Sequence, residues 1–184
     1  MNMIDLAIVT AATYHEGQYR KGGTNTPYIS HPFSVGMLLL KEKCTDEVIA
    51  AGILHDTLED TELTYGKLLD LFGERVATLV VAASEMDKSL PWMERKQQTI
   101  DALPNLDTYA IHIIVADKLH NLRSIRHDLE IHGEQIWNRF NKGKSDQYWY
   151  YFSIVTTLLP RKKECRLIEE LAKEIKMVFE KNDI

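Results

Sequence analysis

The chain has 184 residues, a formal net charge of −5 and hydrophobic residues at 45% of its positions, which is ample for one buried core and short for two. The negative charge argues against general nucleic-acid binding, which needs a broad basic face. No apolar run approaches about 18 residues and no basic segment followed by a hydrophobic stretch opens the chain, so we expect neither a membrane span nor a secretory signal.

Apolar residues recur at helical spacing over residues 3–14, which predicts a first helix. Several glycines and Pro27 then indicate a loop of about 15 residues, and a loop of that length in a compact domain is more often functional than idle. Arg20 and Lys21 form its charged tip. Composition alone favours a solvated surface loop with two cations.

Pro32 predicts a second helix, because proline is favoured at the first helical position. We expect this helix over Pro32–Lys43, with His31 just before it and with Val35, Met37, Leu38 and Leu39 mostly inward. Thr45 is a suitable cap for a third helix, whose small apolar residues run to Leu54. Cys44, between the two helices, and Cys165 lack metal-type spacing, and we expect both to be reduced thiols in a cytoplasm.

The rest of the chain is also helical in pattern, since no run shows the sustained alternation of strands. We expect helices at 64–72, closed by Gly73, at 74–84, at 92–103 after an Asp87–Pro91 connector, at 109–123, around 147–151, and from Pro160 to about Lys181. The predicted fold is therefore all-α, a single domain over residues 1–184 with about eight to ten helices.

Four ionisable residues follow the third helix: His55, Asp56, Glu59 and Asp60. If the helix continues, Glu59 lies one turn beyond His55, and Asp60 lies one turn beyond Asp56. Burying these groups is costly without compensation, and a divalent cation is the usual compensation.

Two further residues can complete a metal site. His31 precedes the second helix, and Asp117 ends an apolar run. Imidazole and carboxylate ligands without thiolates suit manganese, iron, zinc or magnesium. A buried histidine taken alone is more often a hydrogen-bonded core residue, so the prediction depends on the whole set.

The order and spacing of His31, His55-Asp56 and Asp117 resemble the HD phosphohydrolase superfamily. Segments 15–21, 26–32, 54–61 and 116–123, and 87–91 followed by Glu94-Arg95-Lys96, are similar to the hydrolase domain of the RelA–SpoT alarmone enzymes. The likeness covers about residues 3–125. It is greatest to the free-standing, single-domain small alarmone hydrolases of the metazoan SpoT-like type.

This resemblance implies an HD-domain helical bundle with its metal and nucleotide core over residues 3–125 and its C-terminal helices, residues 126–184, packed over that core. It implies one Mn²⁺, or another divalent cation. It assigns Glu59 and Asp60 to orienting the attacking water and accepting its proton. The implied metal ligands are His31, His55, Asp56 and Asp117.

The resemblance also implies a nucleotide-binding role for the loop. The family's residues at Arg20 and Lys21 contact the nucleotide, the arginine against the guanine face and the lysine near phosphate. A planar guanidinium suits stacking, and an ammonium suits a phosphate as a point charge. Gly22 departs from the family, which often has serine or aspartate there.

Asn121 and Ser124 lie one and two turns beyond Asp117 on the same predicted helix face. Without the resemblance, a cap or a helix–helix hydrogen bond explains Asn121 equally well. The resemblance implies that both residues face the base and sugar of a nucleotide. His112 and His120 fall at no ligand position, and we expect them to be surface or core residues.

The basic and aromatic segment 137–151 allows two interpretations. Its aromatic residues can pack between helices, which is the usual use of buried aromatics. Alternatively, Arg139, Lys142 and Lys144 lie over the phosphates together with Tyr148, near which the family carries an aromatic residue in its site.

Three functions compete. The resemblance implies a manganese-dependent hydrolase that removes the 3′-diphosphate from guanosine tetra- or pentaphosphate, giving GDP or GTP and pyrophosphate. The second candidate keeps the fold and metal but acts on an adenine alarmone, the 2′-phosphate of NADPH or a nucleoside phosphate. The third is an inactive helical regulatory module. The metal motif activates water whatever the leaving group, so it does not separate the first two. We expect a small nucleotide substrate and no nucleic-acid or membrane partner, and the oligomeric state stays open.

Overall fold

The computed structural model describes residues 1–21, 25–85 and 88–180. Within these ranges the regular structure is helical, with one isolated bridge between Tyr19 and Pro27, and the all-α prediction is confirmed. Gly22, Asp87 and Lys181, to which the sequence analysis refers, lie outside the described residues. The α-helices are α1 (Met3–Tyr14), α2 (Ser30–Lys41), α3 (Asp46–Leu54), α4 (Thr57–Asp60), α5 (Tyr65–Ala83), α6 (Trp92–Ala102), α7 (Thr108–His132), α8 (Lys144–Leu158) and α9 (Leu167–Phe179).

Helix α3 lies at the centre of the fold and packs against α1, α2, α5 and α7. Every residue from Val48 to Leu54 is buried. Two glycines let α2 and α3 approach closely: a Cβ added at Gly36 would lie 2.5 Å from Cγ1 of Ile53, and one at Gly52 would collide with Leu39. This close crossing brings the start of α2 next to the end of α3.

Helix α7 is the longest helix of the described residues and packs against α2, α3, α5 and α9. Asp117 lies near its middle, in a run of buried residues from Ile113 to Asp117. Two ion pairs, Arg123 with Glu170 at 2.8 Å and Arg126 with Glu174 at 2.5 Å, join α7 to α9. No helix among the described residues has both the length and the apolar character needed to cross a bilayer.

Several predicted boundaries are confirmed. The first helix covers Met3–Tyr14. Gly73, with φ of 79°, interrupts α5 at the position where the sequence predicts that one helix ends and the next begins. Thr45 occupies the capping position of α3, although its side chain makes no capping hydrogen bond. The described part of the loop folds back on itself, because the Tyr28 N–H donates to the Gln18 carbonyl at 2.8 Å.

The predicted boundaries of the second helix are wrong. Helix α2 begins at Ser30, two residues before Pro32, so His31 lies inside its first turn. Proline fits anywhere in that turn, because the first N–H groups of a helix have no partner within it. The helix ends at Lys41, because Lys43 adopts a φ of 59° and the Cys44 N–H returns to the Leu39 carbonyl.

Other expectations are also corrected. Met37 is 49% exposed, not inward. The helix carrying His55 does not continue unbroken: α3 ends at Leu54 and α4 begins at Thr57, although the Asp60 N–H still bonds the Asp56 carbonyl at 2.9 Å. Helix α7 runs on to His132, since no breaker precedes Gly133. Pro160 lies in a short 3-10 turn, and α9 begins only at Leu167.

Candidate active site

Four side chains from separate parts of the chain converge where α2, α3 and α7 meet. His31 comes from the first turn of α2, His55 and Asp56 from the junction of α3 and α4, and Asp117 from α7. His31 Nε2 lies 3.1 Å from Asp117 Oδ1 and 3.6 Å from Asp56 Oδ2. His55 Nε2 lies 3.1 Å from Asp56 Oδ2 and 3.7 Å from Asp117 Oδ1.

These atoms fit a divalent metal ion. Nitrogen and oxygen ligands lie about 2.0–2.2 Å from such an ion, so neighbouring ligand atoms are about 3 Å apart or slightly more. One ligand atom from each of His31, His55 and Asp117 lies within 4.8 Å of the others, and Asp56 adds an oxygen at similar distances. His55 donates from Nδ1 to the Gly52 carbonyl at 2.8 Å, whereas its Nε2 is buried and makes no hydrogen bond to a described residue.

The electrostatics of the cluster also favour a cation. Burial works against a charged His55, yet the Asp56 and Asp117 carboxylates overcome burial and hold its pKa well above the ordinary value. Burial lowers the pKa of His31, with Asp117 opposing. Burial alone would raise the pKa of Asp117, but Lys118 and the two imidazoles hold it well below its usual range. One buried carboxylate, Asp117, and one half-buried carboxylate, Asp56, therefore demand positive charge between them.

Outer contacts hold the Asp56 and Asp117 carboxylates in place. The Tyr28 hydroxyl donates to Asp56 Oδ2 at 2.6 Å. Lys118 Nζ donates to Asp117 Oδ2 at 2.7 Å, and Asn121 Nδ2 donates to Asp117 Oδ1 at 2.5 Å. Such contacts orient ligands and are worth about 10- to 100-fold in metal affinity.

Glu59 and Asp60 lie on the wall of the same cavity, one turn beyond the His-Asp pair. Glu59 Oε2 accepts the Glu85 N–H at 3.2 Å, and Lys88 Nζ contacts Asp60 Oδ1 at 2.6 Å. Burial raises the pKa of Glu59, and the nearby Asp60 and Asp56 carboxylates add to that rise. A carboxylate with a raised pKa, held near a metal position without being a ligand, is suited to act as a base.

The cavity has a volume of about 1160 Å³ and contains several predicted nucleotide contacts. Arg20 Nη2 donates to Asn121 Oδ1 at 3.0 Å and lies 5.8 Å from the centre of the Tyr28 ring. Lys21, Ser124 and Lys142 line the same cavity.

Three predicted contacts are not brought to this cavity wall. Arg139 lies 3.7 Å from Asp128, and Lys144 pairs with Glu134 at 3.0 Å. Tyr148 stacks on Phe152, with ring centres 5.4 Å apart, and meets Phe179 edge-on. None of the three is among the described residues that line the cavity.

Sequence reasoning missed several residues that the structure brings to the site. Tyr28 contacts Asp56, His120 contacts His31, and Lys118 contacts Asp117. Tyr150 and Tyr151, not Tyr148, face the cavity from α8. The signal that could have indicated Lys118 is a charged residue directly after Asp117 in an otherwise apolar helical run, since charged residues are rarely buried without a partner.

A protein-family model described as an HD domain matches residues 7–145. The chain therefore belongs to the HD domain family.

Comparison with individual proteins shows which members of the family this chain resembles. The chain is 44% identical over 117 residues to guanosine-3′,5′-bis(diphosphate) 3′-pyrophosphohydrolase MESH1 of Danio rerio, a match covering 62% of this chain and 64% of that protein. It is 37% identical over 125 residues, 65% of this chain, to the bifunctional (p)ppGpp synthase/hydrolase SpoT of Escherichia coli K12, covering 17% of that protein.

A solved structure gives broader coverage. The structure described as a metazoan ortholog of SpoT that hydrolyzes ppGpp and plays a role in starvation responses superposes with a TM-score of 0.79 at 29% identity, over 96% of this chain and 95% of that one. In contrast, the sequence match to the Danio rerio relative covers 64% of that protein, which is less than two thirds of its length.

Proposed function

We propose that this protein is a manganese-dependent hydrolase that removes the 3′-diphosphate from guanosine tetra- or pentaphosphate. The observation that supports it most is the convergence of His31, His55, Asp56 and Asp117 beside Glu59 in one cavity. The likeness to relatives that are named for this reaction supports the choice of substrate.

In this proposal His31, His55, Asp56 and Asp117 hold the cation. Mixed imidazole and carboxylate ligands suit Mn²⁺ as well as other divalent ions. When bound, the cation would lower the pKa of water and offset negative charge on the phosphoryl oxygens. The Tyr28 hydroxyl fixes the Asp56 carboxylate, and Lys118 fixes the far oxygen of Asp117.

Glu59, with Asp60 beside it, orients the attacking water and accepts its proton. The water oxygen bonds to the inner phosphorus of the 3′-diphosphate, and the bond from that phosphorus to O3′ breaks. O3′ takes a proton as the nucleotide leaves, so one substrate and one water give GDP or GTP and pyrophosphate. Lys88, which contacts both carboxylates, keeps them in position.

The nucleoside lies on the side of Arg20 and Asn121. Arg20 is held by Asn121 and lies near the Tyr28 ring, so its guanidinium plane is available to stack on a base. Lys21 and Lys142 add positive charge to the wall for phosphates, and Ser124 adds a hydroxyl one turn further along α7.

A panel assay with Mn²⁺ tests the proposal. Pyrophosphate and nucleotide release would be followed with ppGpp, pppGpp, ppApp, NADPH and deoxynucleoside triphosphates. We expect preference for ppGpp and pppGpp, with pyrophosphate and GDP or GTP in equal amounts. Turnover of NADPH or deoxynucleotides without pyrophosphate from ppGpp would reject it.

A further inference from the structure

A cluster of positive charge lies beside the metal ligands, on the wall formed by α6, α7 and α8. The Glu85 carboxylate accepts from Arg95 Nη1 at 3.3 Å and contacts Lys96 Nζ. Lys96 Nζ lies 4.7 Å and Lys118 Nζ lies 5.7 Å from the centre of the Tyr150 ring. All five residues line the cavity.

The cluster carries more positive than negative charge. Burial alone would raise the pKa of Glu85, yet Lys118, Lys96 and Arg95 together lower it below its ordinary value. Lys118 also donates a hydrogen bond to Asp117, but a bound metal ion would neutralise the charge of Asp117 as well. Three cations facing Glu85 therefore leave room for a further anion.

The cluster also has unused hydrogen-bonding capacity. The Tyr150 hydroxyl is buried, in a residue that is 3% exposed, and makes no hydrogen bond of ordinary geometry to a described residue. Arg95 Nε is likewise buried without a described partner. Buried polar groups are normally paired, so orphan donors on a cavity wall indicate an absent acceptor. A phosphate group offers several charged acceptor oxygens.

The position of the cluster indicates which phosphate it receives. The two oxygens of Asp117 face different groups: Oδ1 accepts from Asn121, on the nucleoside side, and Oδ2 accepts from Lys118. The Glu85 N–H holds Glu59, the proposed base, at 3.2 Å. The cluster therefore lies beside Glu59, the proposed base, and across Asp117 from Asn121.

From this placement we propose that Arg95, Lys96, Lys118 and Tyr150 form a subsite for the terminal phosphate of the substrate's 3′-diphosphate. The inference rests on the proposed function, which it deepens. The subsite explains how a diphosphate is distinguished from a monophosphate at the same position, because only the former reaches the cluster. It also holds the pyrophosphate product after the O3′–phosphorus bond breaks.

The two products provide the test. Binding of inorganic pyrophosphate and of GDP to the full-length, Mn²⁺-loaded protein would be measured by calorimetry for the wild type and for Lys96→Gln, with Mn²⁺ affinity measured in parallel. We expect Lys96→Gln to weaken pyrophosphate binding by about 10- to 100-fold, as for loss of a charge-assisted hydrogen bond. GDP and Mn²⁺ affinities should change less than about threefold.

Two further variants separate binding from folding. Tyr150→Phe removes only a hydroxyl group, so it should leave the fold intact and weaken pyrophosphate binding by about 3- to 10-fold. If circular dichroism shows that Lys96→Gln is unfolded, pyrophosphate binding by Tyr150→Phe is the deciding measurement. Lys163→Gln makes the same charge change at an exposed site outside the cavity lining and should leave all affinities unchanged.

Unchanged pyrophosphate affinity in both cavity variants would overturn the subsite. Weakened GDP binding with unchanged pyrophosphate binding would also overturn it, and would assign the cluster to the 5′-diphosphate. Failure of the proposed function has a different signature, because it appears in the wild type as absence of ppGpp hydrolysis in the substrate panel. If the wild type hydrolyses ppGpp but neither Lys96→Gln nor Tyr150→Phe changes the affinity for pyrophosphate, the subsite is rejected and the proposed function is not.

Discussion

His31 and His120 face each other across α2 and α7, with their Nδ1 atoms 2.7 Å apart. One of these atoms must carry the proton and the other must accept it. Burial lowers the pKa of His120 to about 4, with His31 and Arg20 adding to the effect, so His120 is neutral and can accept. When His31 donates from Nδ1, its Nε2 lone pair is directed at the metal position.

The first prediction concerns this contact. His120→Phe removes the acceptor and should weaken Mn²⁺ binding by about 10- to 100-fold, as for other loss of outer contacts to a metal ligand. His120→Asn, which offers an oxygen near the former Nδ1, should recover much of the affinity. Calorimetric titration with Mn²⁺ measures both. His112→Phe is the matched control, because the hydrogen bond of His112 is to the Thr108 carbonyl of its own helix; equal affinities in all variants would contradict the role of His120.

The second prediction concerns Glu59. Glu59→Gln keeps an oxygen for the Glu85 N–H but cannot take a proton, so it should slow turnover by about 10²- to 10⁴-fold. Mn²⁺ affinity should remain within about threefold, because Glu59 is not among the four proposed ligands. Steady-state kinetics on ppGpp give the rate. Glu62→Gln, at a nearby exposed acid outside the cavity lining, should behave as wild type, whereas full turnover by Glu59→Gln would exclude its role as base.

The third prediction separates metal ligands from the base. His55→Ala and Asp117→Ala should abolish bound Mn²⁺ and hydrolysis together, since each removes one of the four proposed ligands. Elemental analysis of the purified variants measures the metal, and circular dichroism checks the fold. Asp117→Asn has nearly the same shape as the wild type and serves as a second variant if the alanine change unfolds the protein. Retained metal with lost activity would show that these residues act in another way.

The fourth prediction tests the packing that brings His31 to His55. Gly36→Ala places a methyl group against Ile53, which is 2% exposed and β-branched, so neither side can move easily. We expect a loss of about 1–3 kcal/mol in the free energy of unfolding from overpacking. Urea denaturation measures it. Gly66→Ala, at a helical position with open space, should instead stabilise by about 0.4–1 kcal/mol; equal effects would contradict the close crossing.

The fifth prediction concerns the two free thiols, Cys44 and Cys165. Burial raises their pKa values to about 11 and about 12, so at pH 8 about one thousandth or less of either is thiolate. Alkylation by iodoacetamide should be slow in the native protein and should accelerate about tenfold for each pH unit. Mass spectrometry of timed samples follows the reaction. Rapid labelling at pH 8 that matches the urea-unfolded chain would contradict this burial.

Much of the secondary structure could be predicted because it depends on local spacing. Apolar positions at helical intervals indicate α1 and α6, and Gly73 was predicted to end a helix because it tolerates a positive φ. Boundaries set by a tertiary contact or by a later breaker were wrong, as at the start of α2 and the end of α7. Local signals do not record which turn of a helix is supported by its neighbours.

The aromatic residues of α8 are a second feature that local sequence signals could not predict, here at the cavity. A helix presents residues three and four apart on one face, so Gln147, Tyr150 and Tyr151 line the cavity while Tyr148 packs on Phe179. A run of four aromatics has no polar face, so its rotation could not be read from the sequence. If polar residues had occurred among the aromatic residues at helical spacing, the sequence would have indicated which face of the helix points inward.

The sequence by itself determined the all-helical fold class and the residue types available to a metal, because apolar periodicity and the spacing of histidines and carboxylates are both written along the chain. The tertiary structure alone decided which of those groups meet. The crossing of α2 and α3 at Gly36 and Gly52 and the position of Asp117 on α7 set a distance of 3.1 Å between His31 Nε2 and Asp117 Oδ1, two residues far apart in sequence. Such distances depend on how helices pack, and packing is a property of several segments together.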